Sequence, residues 1–286
     1  MSRLMLQFIT FAIVSLVLLK LLVWLLEAKM AFFPTRGEQI TPAAHGIPYR
    51  DLAVVTADGE TLHGWLLEHP DARADVIYWH GNGGNLSVWL EPLVGIHRHG
   101  VTVAALDYRG YGRSTGRPSE QGIYRDTDAW LELLRSERRD ARRPVIYWGR
   151  SLGGAAAAYA TTVARPDGVI LESTFPSVFS LLRRDPVMSV LSRMSSYRFP
   201  TAEMIRPYRG PTLVIHGDRD EVVPYRLGVE LFDGIGGDKR LLTVPGGSHN
   251  EVRPADDASY WQPILDFMDS IAVIDRPPRP DDNPPT

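Results

Sequence analysis

Cysteine is missing from all 286 residues. Its absence excludes disulfides, a thiol nucleophile, thiolate metal ligands and lipid attachment through cysteine, and leaves the cellular compartment open. Charge of one sign is not in excess either. The 31 Lys and Arg stand against 34 Asp and Glu, giving a formal net charge of −3 and a pI near 6.2. With no basic block in the globular part, nucleic acid is not expected as a partner. No internal repeat is visible, and alternating strand and helix patterns after Tyr49 point to one α/β domain.

A long apolar run opens the chain. Leu4 to Leu26 is interrupted only by Gln7, Thr10, Ser15 and Lys20. As a helix it would be about 34 Å long, enough to cross a hydrocarbon core of about 30 Å. Lys20 lies close enough to one end to snorkel toward an interface. The run exceeds the usual apolar region of a signal peptide, and no small-x-small cleavage site follows it. Residues 1–30 are therefore expected to form an uncleaved single-pass anchor. The short amino-terminal tail would most simply stay inside, leaving the bulk of the chain on the extracytoplasmic side.

Residues 31–48, with prolines at 34, 42 and 48, read as a linker to a domain spanning 49–274. Expected strands are Tyr49–Thr56 and Thr61–Leu67, a hairpin turning at Ala57-Asp58-Gly59-Glu60, then Asp75–Trp79, Val101–Leu106, the apolar run that starts at Val145, Gly168–Leu171, Thr212–Ile215 and Arg240–Val244. Helices are expected at about 86–99, 120–138, 152–163 and 256–274. The pattern breaks up over 176–210, a small insertion suited to capping a site. Its apolar residues, including Phe179, Leu181, Met188, Leu191 and Met194, would lie near the mouth of such a site, with Arg183 and Arg184 facing anionic headgroups. Residues 275–286, proline-rich and charged, read as a disordered tail.

Val145-Ile146-Tyr147-Trp148-Gly149-Arg150-Ser151-Leu152-Gly153-Gly154 carries the chemistry. A β-prone run ends in Gly-x-Ser-x-Gly and a helical pattern follows, which is the context of a nucleophile elbow. A serine raised on a sharp turn needs small neighbours, and Gly149 and Gly153 supply them. Ser151 is thus the candidate nucleophile. Its hydroxyl needs a base, with an acid to orient that base. His216-Gly217-Asp218-Arg219-Asp220 and Gly247-Ser248-His249 follow two later strands. Asp220 is the preferred acid and His249 the base; Asp218 and Glu172 are rival acids. His80 and His216 read as loop braces. His45, His63, His97 and His99 are not placed near the elbow by strand order. Backbone N–H groups of Leu152 and of Asn82, in His80-Gly81-Asn82-Gly83-Gly84-Asn85, would form the oxyanion hole. A phosphate-cradling loop is the competing reading there, but the lysine and hydroxyl residue of a P-loop are missing.

His-Gly-Asn-Gly-Gly-Asn, Asp-Tyr-Arg-Gly-Tyr-Gly-Arg-Ser, Gly-Arg-Ser-Leu-Gly-Gly, His-Gly-Asp-x-Asp-x-x-Val-Pro and Gly-Ser-His-Asn together resemble the α/β-hydrolase superfamily, over about residues 49–274. They are most similar to its membrane-anchored branch, which includes serine hydrolases of uncertain substrate and protein depalmitoylases. The resemblance implies an α/β-hydrolase fold with an eight-stranded, mostly parallel sheet flanked by helices. It also implies no cofactor or metal, and the roles already given to Ser151, Asp220 and His249. The cysteine-rich amino terminus of the depalmitoylases is absent, so their substrate does not carry over. The expectation is a membrane-anchored serine hydrolase of an ester or thioester, acting on a small-molecule or lipid-like acyl substrate. A serine peptidase and a catalytically silent binding module are the alternatives. Serine rather than aspartate at position 151 excludes dehalogenase and epoxide-hydrolase chemistry.

Overall fold

The computed structural model describes residues 3–138, 140, 142–183, 185–251 and 258–272. In chain order the elements are α1 (Arg3–Ala31), β1 (Phe33–Pro34), β2 (Arg50–Val55), β3 (Thr61–Leu67), β4 (Asp75–Trp79), β5 (Gly83–Gly84), α2 (Leu90–Arg98), β6 (Thr102–Asp107) and α3 (Glu120–Glu137). They continue with β7 (Val145–Arg150), α4 (Leu152–Val163), β8 (Gly168–Glu172), α5 (Val178–Leu182), α6 (Pro186–Met194), α7 (Thr201–Ile205), β9 (Thr212–Gly217), α8 (Tyr225–Gly234), β10 (Lys239–Val244) and α9 (Ala258–Ala272).

Eight strands form one sheet in the order β10-β9-β8-β7-β4-β6-β3-β2. Pairing is parallel from β10 to β6, and antiparallel between β6 and β3 and between β3 and β2. The central strands are covered on both faces, which is why they read as continuous apolar runs rather than alternating ones. Val169, Ile170 and Leu171 of β8 are fully buried, as are Val214 and Ile215 of β9. One face packs against α3, α4, α7 and α8 and contains Trp79, Trp130, Leu171 and Leu227. The other packs against α2 and α9 and contains Tyr78, Trp148, Ile264 and Phe267. Ala155 to Ala158 of α4 are all fully buried, so the alanine run lets that helix lie close to the sheet. The hairpin turns where expected: Thr56 N–H donates to Glu60 O at 2.8 Å and Thr56 Oγ1 to Asp58 Oδ1 at 2.7 Å.

Two elements depart from expectation. The helix read from residue 86 begins only at Leu90. Leu86 N–H is drawn to the Asp107 carboxylate at 2.9 Å, and residues 85–89 form a turn instead, with Val88 and Trp89 N–H donating to Asn85 O. The stretch read as a linker is packed on the domain. Phe33–Pro34 pairs in parallel with Gly83–Gly84, Arg36 bridges to Gly112, and Pro42–His45 forms a 3-10 turn. Two-residue strands held by tertiary contacts leave no periodic signal in a sequence. The insertion folds as α5, α6 and α7; Arg183 pairs with Glu230 at 2.7 Å rather than standing free, and Arg184 lies outside the described residues, as does the 275–286 tail. Helix α1 is long and apolar enough to cross a membrane, and its side chains are exposed along almost the whole length.

Candidate active site

Strand β7 runs directly into Ser151, whose φ of 51° and ψ of −117° lie in a region L-residues rarely occupy. Such backbone costs about 1–3 kcal/mol and persists only where the surroundings over-determine it. Here they do. Ser151 N–H donates to Glu172 O at 2.9 Å, and Ser151 O accepts from Thr174 Oγ1 at 2.7 Å and from Gly154 N–H at 3.0 Å. Both elbow glycines are required by contact: a Cβ on Gly149 would strike the Gly153 carbonyl, and one on Gly153 would strike that of Trp79. The nucleophile candidate therefore sits at the carboxyl end of a central strand and the amino end of α4.

Asp220 follows β9 and His249 follows β10, in adjacent loops. Asp220 Oδ1 accepts from the N–H groups of Val222 at 3.0 Å and Val223 at 2.7 Å. Asp220 Oδ2 lies 2.8 Å from His249 Nδ1. A carboxylate at Nδ1 holds the proton there and leaves Nε2 as the acceptor. Burial pushes the Asp220 carboxyl upward, but hydrogen bonds from His216 and His249 outweigh it and hold the group well below the usual carboxylate range. Asp220 thus stays ionised beside the imidazole. Ser151 and His249 are 9% and 8% exposed, at the margin of burial. Among the described residues the Ser151 hydroxyl makes no hydrogen bond; catalytic contacts are often loose before substrate binds.

The rival acids are placed elsewhere. Asp218 Oδ1 accepts from Gly246 N–H at 2.7 Å and braces the histidine loop. Glu172 is fully buried, accepting from Trp148 Nε1 at 2.8 Å and Tyr260 OH at 3.3 Å.

Leu152 is the first residue of α4, and Asn82 lies in the loop that follows β4. A Cβ on Gly81 would meet the Trp89 ring at 2.6 Å and Ser151 Cβ at 3.6 Å, so the glycine loop lies directly against the serine. Asn82 is fixed on every side: its Nδ2 donates to Ala31 O at 2.6 Å, and Tyr111 OH lies 2.9 Å from both its carbonyl oxygens.

Arg150 and His216 were not singled out from the sequence as site residues. Arg150 Nη2 donates to His249 O at 2.6 Å, and its guanidinium lies 5.0 Å from the Trp89 ring centroid, so one side chain ties the elbow, the histidine loop and the glycine loop together. Its position next to the serine was the only available signal. His216, read as a loop brace, is fully buried with Nε2 at 2.7 Å from Val223 O and 3.4 Å from Asp220 Oδ2. It braces the loop, as expected, but also supports the acid. His80 stacks on Trp89 and lies against Tyr108 and Tyr111, beside the elbow, and His99 stacks on Trp261.

A mostly parallel sheet that presents an elbow serine at the carboxyl end of a central strand, with acid and histidine loops following later strands, defines an α/β hydrolase. A family model described as serine aminopeptidase, S33, matches residues 70–210. An uncharacterized membrane protein of Saccharomyces cerevisiae is 32% identical over 82% of this chain and 84% of its own length. The alpha/beta hydrolase domain-containing protein WAV2 of Arabidopsis thaliana is 28% identical over 87% of this chain and 90% of its own. An esterase of Pyrococcus furiosus superposes with a TM-score of 0.68 at 17% identity, covering 84% of this chain and 97% of its own. The chain belongs to the α/β-hydrolase superfamily.

Proposed function

We propose that this protein is a membrane-anchored serine hydrolase that cleaves an acyl ester or thioester through an acyl-enzyme. Ser151 is the nucleophile, His249 Nε2 takes its proton, and Asp220 holds the imidazole tautomer and stabilises the imidazolium. The tetrahedral oxyanion is received by the N–H groups of Leu152 and Asn82, aided by the positive end of α4. His249 then returns the proton to the leaving group and activates the water that releases the acid. The reading is carried by one observation: the ionised Asp220 lies 2.8 Å from His249 Nδ1, on a loop that Arg150 ties to the strained serine.

Helix α1 supports the membrane half of the reading, which puts the catalytic domain on the extracytoplasmic side. The second reading is a serine peptidase of the same fold, which the description of the matching family model favours. The two separate in a panel of acyl esters and thioesters of graded chain length run beside aminoacyl amides. Ester or thioester turnover that vanishes in Ser151→Ala is the expected result. Turnover confined to the amides would establish the peptidase, and undiminished ester turnover by Ser151→Ala would reject Ser151 as nucleophile.

A further inference from the structure

Helix α6 carries exposed apolar residues: Val187 and Val190 are 63% and 54% exposed, whereas Ser192 is 3% exposed and Met188, Ser189, Leu191 and Met194 are half-buried. The helix also meets the anchor at a telling depth. Lys20 Nζ donates to Met194 O, the last carbonyl of α6, at 2.8 Å. Glu27 accepts from Ser195 Oγ at 2.9 Å and from Ser196 N–H at 2.7 Å. The carboxyl end of α6 is therefore fixed beside α1 between the levels of residues 20 and 27. Lys20 lies six residues before Leu26, about 9 Å along the helix axis. That is inside the apolar run whose length of about 34 Å only slightly exceeds a hydrocarbon core of about 30 Å. The carbonyl end of α6 provides the partner that a lysine at this depth requires.

We infer that α6 is an interfacial helix, seated with Val187 and Val190 in the boundary between headgroups and acyl chains of the leaflet that α1 leaves. An exposed valine pair on an isolated soluble domain would be unremarkable; continuity with the anchor is what assigns this one to lipid. Amphipathic helices of this kind sink about 5–10 Å into that boundary, the depth at which Lys20 fixes α6. Arg193, exposed and stacked 5.6 Å from the Phe179 ring centroid, adds a cation where phosphate groups lie. The consequence concerns substrate. Through α5 the helix joins the loop after β8, where Thr174 bonds the Ser151 carbonyl, so α6 is continuous in the chain with one wall of the candidate site. The substrate class that fits is an acyl ester or thioester carried by a membrane-resident lipid or acyl chain. This inference rests on the membrane-anchored hydrolase reading.

The missing cysteine makes the test clean. Val187→Cys, Val190→Cys, Val14→Cys and Val163→Cys, each in the full-length chain, are labelled with a nitroxide and reconstituted in phosphatidylcholine vesicles. Collision with oxygen is compared with collision with a water-soluble nickel chelate. Position 14 reports the anchor, and position 163, at the far end of α4, reports water. Labels at 187 and 190 are expected to favour oxygen several-fold over the label at 163, with soluble-ester turnover unchanged. A label at 14 in lipid with labels at 187 and 190 as aqueous as that at 163 would overturn the inference while leaving the anchor intact. An aqueous label at 14 would overturn both. In a second arm, Val187→Asp/Val190→Asp is expected to lose several-fold in rate on a vesicle-borne ester while keeping the soluble-ester rate. Equal losses on both, or none on either, would contradict delivery from the leaflet.

Discussion

At the scale of single residues, three carboxylates could be read as the acid from sequence alone, and their contacts now separate them. Asp220 is the one on His249; Asp218 and Glu172 are spent on a backbone amide and on Trp148 and Tyr260. Asp220→Asn should therefore lower kcat by about 10⁴, because an amide favours the wrong imidazole tautomer. Asp218→Asn should cost far less, since only one loop-bracing hydrogen bond weakens. Steady-state kinetics on one soluble ester decide between them, with circular dichroism confirming the fold. A larger loss from Asp218 would mean that the acid loop has been read in the wrong place. Asp218 and Asp220 stood out in the sequence because a carboxylate-rich loop after a strand is a local signal. Arg150 did not, because its partners, His249 and Trp89, are distant in sequence and no pattern announces a cation that joins three loops.

At the scale of elements, the stretch that follows α1 packs on the glycine loop and the insertion rather than hanging as a tether. Ala31 O holds the Asn82 side chain, Phe32 packs against Tyr197 and Phe199 of the insertion, and Phe33–Pro34 pairs with the glycine loop. A form beginning at Ala31 keeps all three contacts and should hydrolyse a soluble short-chain ester at close to the full-length kcat. Asn82→Ala keeps the backbone N–H but frees the loop that aims it, and should lose on the order of 10-fold in kcat with a melting temperature near that of the parent. A folded Ala31 form without activity, or an Asn82→Ala enzyme with unchanged kcat, would refute this role for the segment. The longer elements were legible because burial on both sheet faces writes continuous apolar runs, and because the hairpin carries its own turn chemistry at Asp58-Gly59. Strands of two residues, and a helix start displaced by the Asp107 carboxylate, are set by distant groups and could not be read.

At the scale of the whole molecule, an α/β hydrolase domain and a helix able to span a membrane are joined without slack. Lys20 donates to the insertion, Glu27 accepts from it, and Ala31 O accepts from Asn82 of the glycine loop. The candidate serine, acid and histidine were visible in the sequence as three loops after three strands; that those strands are β7, β9 and β10 of one sheet, in the order β10-β9-β8-β7, only tertiary structure supplies. On the proposed mechanism, Ser151 is a nucleophile activated by Asp220 and His249. The most direct measurement is to treat the full-length protein in detergent with a fluorophosphonate, digest it, and locate the adduct by mass spectrometry. One modified peptide is expected, carrying the phosphonyl group on Ser151 and absent from folded Ser151→Ala. A folded protein that remains unmodified, or an adduct on a different serine, would contradict it.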